Sequence, residues 1–153
     1  MVSLLCFSAV SGDEFTQAWE AFFRATRRAR GRSSGPLDGT RLSLAQYQLL
    51  EALRATPRLP VSELAASAGV APPTATRMLD ALVRDGLAER LPCEQDRRVV
   101  HIALTPEGRE AVHAAAERIT AGRERVRDQL TPAEQEQAVA LLRRLTAVVR
   151  EQL

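Results

Sequence analysis

The segment that most constrains the fold is GLAERLPCEQDRRVVHIALTPEGRE, which runs from Gly86 to Glu110. It contains two stretches with β-strand character, at about 87–91 and 99–104, on either side of a charged turn. Thr105-Pro106 then has the composition of a helix start, with threonine at the N-cap and proline at the first helical position. Alternation in the second strand predicts which residues face the core, namely Val100, Ile102 and Leu104, and which face away, namely Val99, His101 and Ala103.

A helix-turn-helix pattern precedes this hairpin. Residues 61–80, VSELAASAGVAPPTATRMLD, place small and apolar side chains where two crossing helices would touch. Gly69 falls at the turn, where a positive φ is cheap only for a residue without a Cβ. The pattern predicts a short helix over 61–68 and a longer one over 72–85. Combined with the hairpin, it indicates a winged helix-turn-helix, a fold whose second helix enters the major groove of DNA.

Amphipathic helices flank this central unit. A capping box at Ser11-Gly12-Asp13-Glu14 predicts a helix that ends near Gly31, and a second box at Ser43 predicts a helix to about Ala55. Further helices are predicted from Thr105 to about Gln129 and from Thr131 toward the end of the sequence. The fold class that follows is mainly α with a small β-hairpin wing.

A chain of 153 residues has the length of one ordinary domain. We therefore expect a single domain over residues 1–153, with a winged helix-turn-helix DNA-binding region over 42–104. Residues 11–31 and 105–153 would form a helical dimerisation region, because apolar helix stripes outside so small a unit are most readily buried against a second copy.

Contacts with DNA are expected first from the start of the second helix of the motif. Its leading face carries Pro72, Pro73, Thr74, Thr76 and Arg77. Threonine can meet a phosphate or a thymine methyl group, and the arginine fork matches guanine O6 and N7. The alternative for Arg77 is a solvated side chain paired with Asp80 or Asp85.

The hairpin tip supplies the second expected DNA contact. Arg98 is placed to enter a minor groove, Arg97 to meet a phosphate, and Asp96 to hold the guanidinium of Arg98 through a charge-assisted hydrogen bond. The alternative for Asp96 is that it only shapes the turn.

The chain resembles the multiple antibiotic resistance regulators, the MarR family. The resemblance rests on VSELAASAGV and on TRMLDALVRDGLAERLPCEQDRRVVHIALTPEGRE, with flanking helices in the expected order. The aspartate and arginine of the family wing motif map onto Asp96 and Arg98. Ala71 departs from the family, which often has serine or a similar N-cap there. The resemblance implies a homodimeric winged-helix transcription factor, usually a repressor, which binds a pseudo-palindromic operator in double-stranded DNA and is released by a small ligand or by oxidation.

The sequence suggests two different signals that could release the protein from DNA. Members of this family often bind phenolic or lipophilic ligands between the dimerisation helices and the winged region. Residues that could line such a cleft are Trp19, Phe22, Phe23, Tyr47 and Leu50; the alternative is that they are ordinary core residues. A thiol-based redox sensor using Cys6 or Cys93 is a second hypothesis, since Leu5-Cys6-Phe7 is similar to a motif of the family's organic hydroperoxide regulators.

Other classes of function find less support in the sequence. The apolar runs are too short for a membrane-spanning helix, and the start of the chain is a poor signal peptide, so a cytoplasmic protein is expected. No clustered Cys/His set, nucleophile–base pair or phosphate-binding glycine loop is recognisable, so we expect no metal, no cofactor and no enzyme. A winged-helix interaction module that does not bind DNA is the remaining alternative; the arginine set Arg77, Arg97 and Arg98 speaks against it.

Overall fold

The structure is a computed structural model that describes residues 11–31, 35–92 and 99–152. Six α-helices and three short strands follow one another in these ranges. The helices are α1 (Gly12–Gly31), α2 (Leu44–Leu50), α3 (Val61–Ala68), α4 (Pro72–Arg84), α5 (Pro106–Arg127) and α6 (Pro132–Gln152), and the strands are β1 (Leu59–Pro60), β2 (Ala88–Pro92) and β3 (Val100–Leu104). The fold class predicted from the sequence, mainly α with a small β wing, is confirmed.

The predicted helix starts are confirmed by their capping hydrogen bonds. At α2 the box is complete, because Ser43 Oγ accepts from the Gln46 amide at 3.2 Å and Gln46 Oε1 accepts from the Ser43 amide at 2.9 Å. At α5, Thr105 Oγ1 accepts from the Gly108 amide at 2.9 Å. These side chains satisfy amide groups that a helix cannot pair internally, and so they determine where each helix begins.

The end of α2 differs slightly from the prediction. The α-helix stops at Leu50 and continues as a 3-10 turn over Glu51–Arg54. A tightened last turn is common at helix ends. Pro57 also disfavours helical geometry at the residue before it, so the helix cannot run further.

The sheet is antiparallel, with strand order β1-β3-β2. The two hairpin strands lie within one residue of their predicted positions. The strand β1, in which Leu59 pairs with Ile102, is not predicted by the sequence pattern. It contains only two residues, one of them proline, and so lacks the alternating run by which a strand is recognised.

The predicted facing of β3 is wrong at two positions. Val100, expected in the core, is 38% exposed, whereas Ala103, expected to face away, is only 8% exposed. Val100 pairs with Pro92 at the outer end of the hairpin, while Ala103 pairs with Glu89 near its base, on a strand that packs against α3 and α5. Burial along this strand therefore depends on the distance from the hairpin tip as well as on alternation.

The buried core belongs to the winged region and the first half of α5. Every buried hydrophobic residue of the described ranges lies between Leu42 and Ala115. Leu64 of α3, Leu79 and Leu82 of α4 and Ile102 of β3 are completely buried there. Helices α1 and α6 contribute none of these residues. None of the helices in the described ranges is long and apolar enough to cross a membrane.

A tight junction joins the end of α4 to the start of α5. Thr105 Oγ1 donates to the Gly86 carbonyl at 2.7 Å while it caps α5, and the Thr105 amide donates to the Leu87 carbonyl at 3.3 Å. Gly86 has φ 72°, which favours glycine. At Gly108 the backbones approach so closely that a Cβ would collide with the Leu87 carbonyl oxygen. The helix-turn-helix and the long helix α5 are thereby held together.

Candidate nucleic-acid interface

The start of α4 projects into solvent. Ala71 occupies the N-cap without a side-chain hydrogen bond, as its sequence predicts, and prolines stand in the first turn. The residues expected to meet DNA, which are Pro72, Pro73, Thr74, Thr76 and Arg77, are all exposed. On the opposite side of the helix, Ala75, Leu79 and Leu82 are buried in the core. One face of α4 is thus buried in the core, and the opposite face is accessible to a binding partner.

The side chains on the exposed face are partly ordered by the helix itself. Thr76 Oγ1 donates to the Pro72 carbonyl at 3.0 Å, and Arg77 Nε donates to the Pro73 carbonyl at 3.4 Å. Each bond uses a single donor, so the Thr76 oxygen can still accept and the Arg77 guanidinium keeps four other N–H groups. These are the groups that could reach a phosphate or a base edge.

An ion pair between α4 and β2 is not predicted by the sequence. Arg90 Nη2 of β2 lies 2.6 Å from Asp80 Oδ1 of α4. The sequence offers Asp80 as a partner of Arg77, but in the structure its close partner is Arg90. A pair that is ten residues apart and joins a helix to a strand leaves no spacing signal in the sequence.

The tip of the hairpin lies outside the described residues. This applies to Asp96, Arg97 and Arg98, and equally to Cys93 and to Cys6 near the start of the chain. Their roles remain predictions. The strands β2 and β3, which end and begin at Pro92 and Val100, fix the base from which this segment extends.

The five residues suggested for an effector cleft are not brought together. Tyr47 and Leu50 are buried in the core of the winged region, 4% and 0% exposed. Trp19, Phe22 and Phe23 lie on α1, where they are 37% to 57% exposed and contact one another through their rings. Only Tyr47 borders a cleft beside the winged region.

That cleft, called the polar cleft below because half of its surface is polar, has a volume of about 380 Å³ and lies between α2 with its 3-10 turn and the middle of α5. Its polar and charged lining residues are Tyr47, Glu51, Arg54, His113, Glu117, Thr120, Arg123 and Glu124. Tyr47 Oη donates to Glu51 Oε1 at 2.9 Å. Burial raises the pKa of the Tyr47 hydroxyl, and the hydrogen bond and negative charge of Glu51 raise it further. The phenol therefore stays a neutral hydrogen-bonding group near neutral pH.

Two larger apolar cavities border α6. One, of about 590 Å³, lies between α1 and α6, and the other, of about 720 Å³, between α5 and α6. Leu142 lines both. Many of the large side chains that line them are exposed, among them Phe15, Phe22, Val126, Val139, Leu141, Leu142 and Val149. A contiguous apolar surface of this kind is typical of an interaction site.

In the part of the chain that the structure describes, no three His, Cys, Asp or Glu residues are grouped so that they could bind a metal ion. His113 Nε2 lies 3.3 Å from Glu117 Oε1 one helical turn away, with both side chains exposed. This is the solvated pair that their spacing in the sequence favours.

Comparison with known sequences identifies relatives of the winged region. The profile of the MarR family matches residues 42–100. An uncharacterised HTH-type transcriptional regulator, YhbI of Bacillus subtilis (strain 168), is 37% identical over 75 residues, so the match spans about half of either chain, 49% of each. The homoprotocatechuate degradative operon repressor of Escherichia coli is 29% identical over 107 residues, covering 70% of this chain and 72% of the repressor.

Solved structures extend the similarity to nearly the whole chain. A mutant form of MarR from Escherichia coli is 26% identical with a TM-score of 0.68, over 86% of this chain and 95% of that one. BpsR of Bordetella bronchiseptica, whose DNA binding is regulated by 6-hydroxynicotinic acid, is 26% identical with a TM-score of 0.67, over 85% and 98%. RV1404 from Mycobacterium tuberculosis is 30% identical with a TM-score of 0.66, over 95% and 97%.

Proposed function

Because the chain belongs to the MarR family of transcriptional regulators, we propose that it acts as a homodimeric repressor that a small hydroxylated aromatic acid releases from its operator. The observation that carries the DNA-binding part is the exposed N-terminal face of α4, held by a fully buried opposite face. Two such helices in a dimer would enter successive major grooves about one helical turn apart.

DNA binding is tested by selecting duplexes from a random-sequence pool with the purified protein. We expect enrichment of a pseudo-palindrome, and an affinity for it that falls steeply as salt increases, because phosphate contacts release counterions. Binding that is absent at low salt, or that shows no sequence preference, would instead support the interaction-module alternative.

Dimerisation is supported by where the apolar surface lies. The large exposed hydrophobic side chains are concentrated on α1, the end of α5 and α6, outside the winged region. The cavities that they border have few polar atoms for a small polar ligand to bond. We assign the aromatic residues of α1, including Trp19, Phe22 and Phe23, to this interface rather than to the effector site.

The effector is proposed to bind in the polar cleft. The E. coli relative is named for a homoprotocatechuate operon, and DNA binding by BpsR is regulated by 6-hydroxynicotinic acid, so both names point to hydroxylated aromatic acids. The cleft offers such a compound matching chemistry. Arg54 and Arg123 can pair with a carboxylate, and Tyr47 can bond a ring hydroxyl. The carboxylates of Glu51, Glu117 and Glu124 can accept hydrogen bonds from ring hydroxyls.

Tyr47→Phe tests this placement, because it removes one hydroxyl and keeps the ring packed in the core. We expect release of operator DNA by homoprotocatechuate or 6-hydroxynicotinate to require a roughly tenfold higher concentration, while DNA affinity without effector stays unchanged. Fluorescence anisotropy of a labelled operator measures both. Thr16→Val is the control, because it also removes one hydroxyl, from an exposed residue of α1 that lines neither the polar cleft nor the apolar cavities; it should respond as the wild type does. Equal responses of the two variants would exclude the polar cleft.

A further inference from the structure

The ion pair between Asp80 and Arg90 joins the two parts of the motif that face DNA. Asp80 lies on the exposed side of α4, one helical turn beyond Thr76 and Arg77. Arg90 lies at the centre of β2, the edge strand that leads to the hairpin tip. The 2.6 Å contact therefore links the recognition helix directly to the strand that carries the wing.

The position of Asp80 calls for an explanation, because a carboxylate facing a polyphosphate is unfavourable. It has arginines on both sides along the helix, Arg77 three residues before and Arg84 four residues after, yet its close contact is with Arg90 of another element. Arg90 shares the sheet face of Ala88, which is buried, so its stem is directed along the side of the sheet that approaches α4.

The pair cannot be explained by its contribution to stability. Both side chains are about half exposed, 42% for Arg90 and 55% for Asp80. Exposed ion pairs contribute little to the free energy of unfolding, because water screens them and because holding two long side chains costs entropy. The pair does add a restraint on the lateral distance between α4 and β2 at the solvent-facing edge of the motif, beyond the buried contacts of Leu79, Leu82 and Ala88.

We propose that Asp80 and Arg90 are positioning residues for DNA binding, which set the recognition helix and the wing at the spacing that lets both contact the same operator half-site. This inference rests on the proposed DNA-binding function. Asp80 contributes through Arg90 and makes no favourable contact with DNA of its own.

The direction in which one substitution changes DNA affinity distinguishes a positioning role from a purely electrostatic one. Asp80→Asn removes a negative charge from a surface that faces phosphate, so electrostatics alone predicts tighter binding and a steeper dependence on salt. Positioning predicts the opposite, a loss of affinity of roughly two- to fivefold despite the more positive net charge, since an exposed ion pair cannot restrain two elements more strongly than it attracts them. Glu89→Gln is the matched control. It removes a negative charge from the residue next to Arg90, on the opposite face of β2, and leaves the ion pair between Asp80 and Arg90 intact.

The experiment measures anisotropy of a labelled duplex, selected from a random pool by the wild-type protein, with a scrambled duplex alongside. We expect Asp80→Asn and Arg90→Gln to weaken binding to the selected duplex by similar factors, and the double variant to be no weaker than either single variant. Binding to the scrambled duplex should not weaken in Asp80→Asn. Melting temperatures should stay within about 2 °C of the wild type.

Three results would overturn the inference. They are tighter binding by Asp80→Asn, additive losses in the double variant, or a loss of affinity that accompanies a fall of many degrees in melting temperature. Failure of the wild-type protein to select any duplex is a separate result, since it contradicts the proposed function itself.

Discussion

Gly108 is the residue at which one added methyl group should have the largest cost. A Cβ there would meet the Leu87 carbonyl oxygen, a backbone atom that cannot move without displacing the start of β2. Gly108→Ala should therefore destabilise the protein by about 2–4 kcal/mol, in the upper range for overpacking of a buried contact. Chemical denaturation monitored by circular dichroism measures this.

Gly122→Ala is the matched control within the same helix. A Cβ at Gly122 meets nothing of its own chain within 4 Å, and alanine is the better helix former. This variant should gain about 0.5–1 kcal/mol. Similar free energies of unfolding for both variants would show that a Cβ at Gly108 fits beside the Leu87 carbonyl.

Single residues are predicted well from the sequence where chemistry acts locally. Ser43 and Thr105 are identifiable as caps because a hydroxyl before an apolar run has few other uses, and Gly69 is identifiable as the turn. The pairing of Asp80 with Arg90 could not be predicted, since it depends on how a strand packs beside a helix. The separation of Tyr47 from the aromatic residues of α1 is of the same kind, because no local pattern states which helices share a cleft.

At the scale of elements, the start of α6 provides a pH-sensitive cap. Glu134 Oε2 accepts from the Thr131 amide and from Thr131 Oγ1, both at 2.8 Å. These hydrogen bonds lower the pKa of the Glu134 carboxyl from its ordinary value of 4.5. Since the folded state holds the charged form, its stabilising effect is complete above the ordinary pKa and is lost as pH falls through the lowered one.

Comparison with Glu134→Gln isolates this effect, because glutamine can accept from the Thr131 amide but never becomes charged. We expect the wild type to melt above the variant near pH 7, and the two melting temperatures to converge as pH falls from about 5 to about 3. Circular dichroism at 222 nm follows the transition. A difference between them that does not change with pH would contradict the role of the charge.

The elements themselves are predictable to different degrees. The helices and the two hairpin strands follow from caps, breakers and periodicity, which lie within a few residues of one another. The strand β1 and the burial of Ala103 do not, because both arise from neighbours that are distant in the sequence. In the candidate site, the exposed face of α4 could therefore be predicted from the sequence, whereas the ion pair that joins α4 to β2 could not.

At the scale of the whole molecule, the apolar surface of α1 and α6 should be buried in a homodimer. Leu142 is 57% exposed and lines both apolar cavities. Leu142→Glu would place an unpaired carboxylate in the buried interface, which should weaken the dimer at least about a hundredfold. Size-exclusion chromatography with light scattering should then show a monomer, and operator affinity should fall with it.

Gln137→Glu serves as the control, because it adds the same charge to α6 about 140° around the helix from Leu142. This variant should remain a dimer and bind DNA as the wild type does. A wild-type protein that is monomeric at micromolar concentration would contradict the homodimer itself.

The junction at Thr105 and Gly108 has a consequence for how such a molecule converts small motions into large ones. Because α5 contains 22 residues, it is ~33 Å long at about 1.5 Å per residue. A tilt of about 5° at its far end would swing the winged region by ~3 Å, whereas a hydrogen bond to a base tolerates a few tenths of an ångström. Because the junction fixes the end of α4 to the start of α5, a movement of α5 would be transmitted to α4. A ligand that slightly increased the separation between α2 and α5 would therefore produce a larger displacement of the operator contacts.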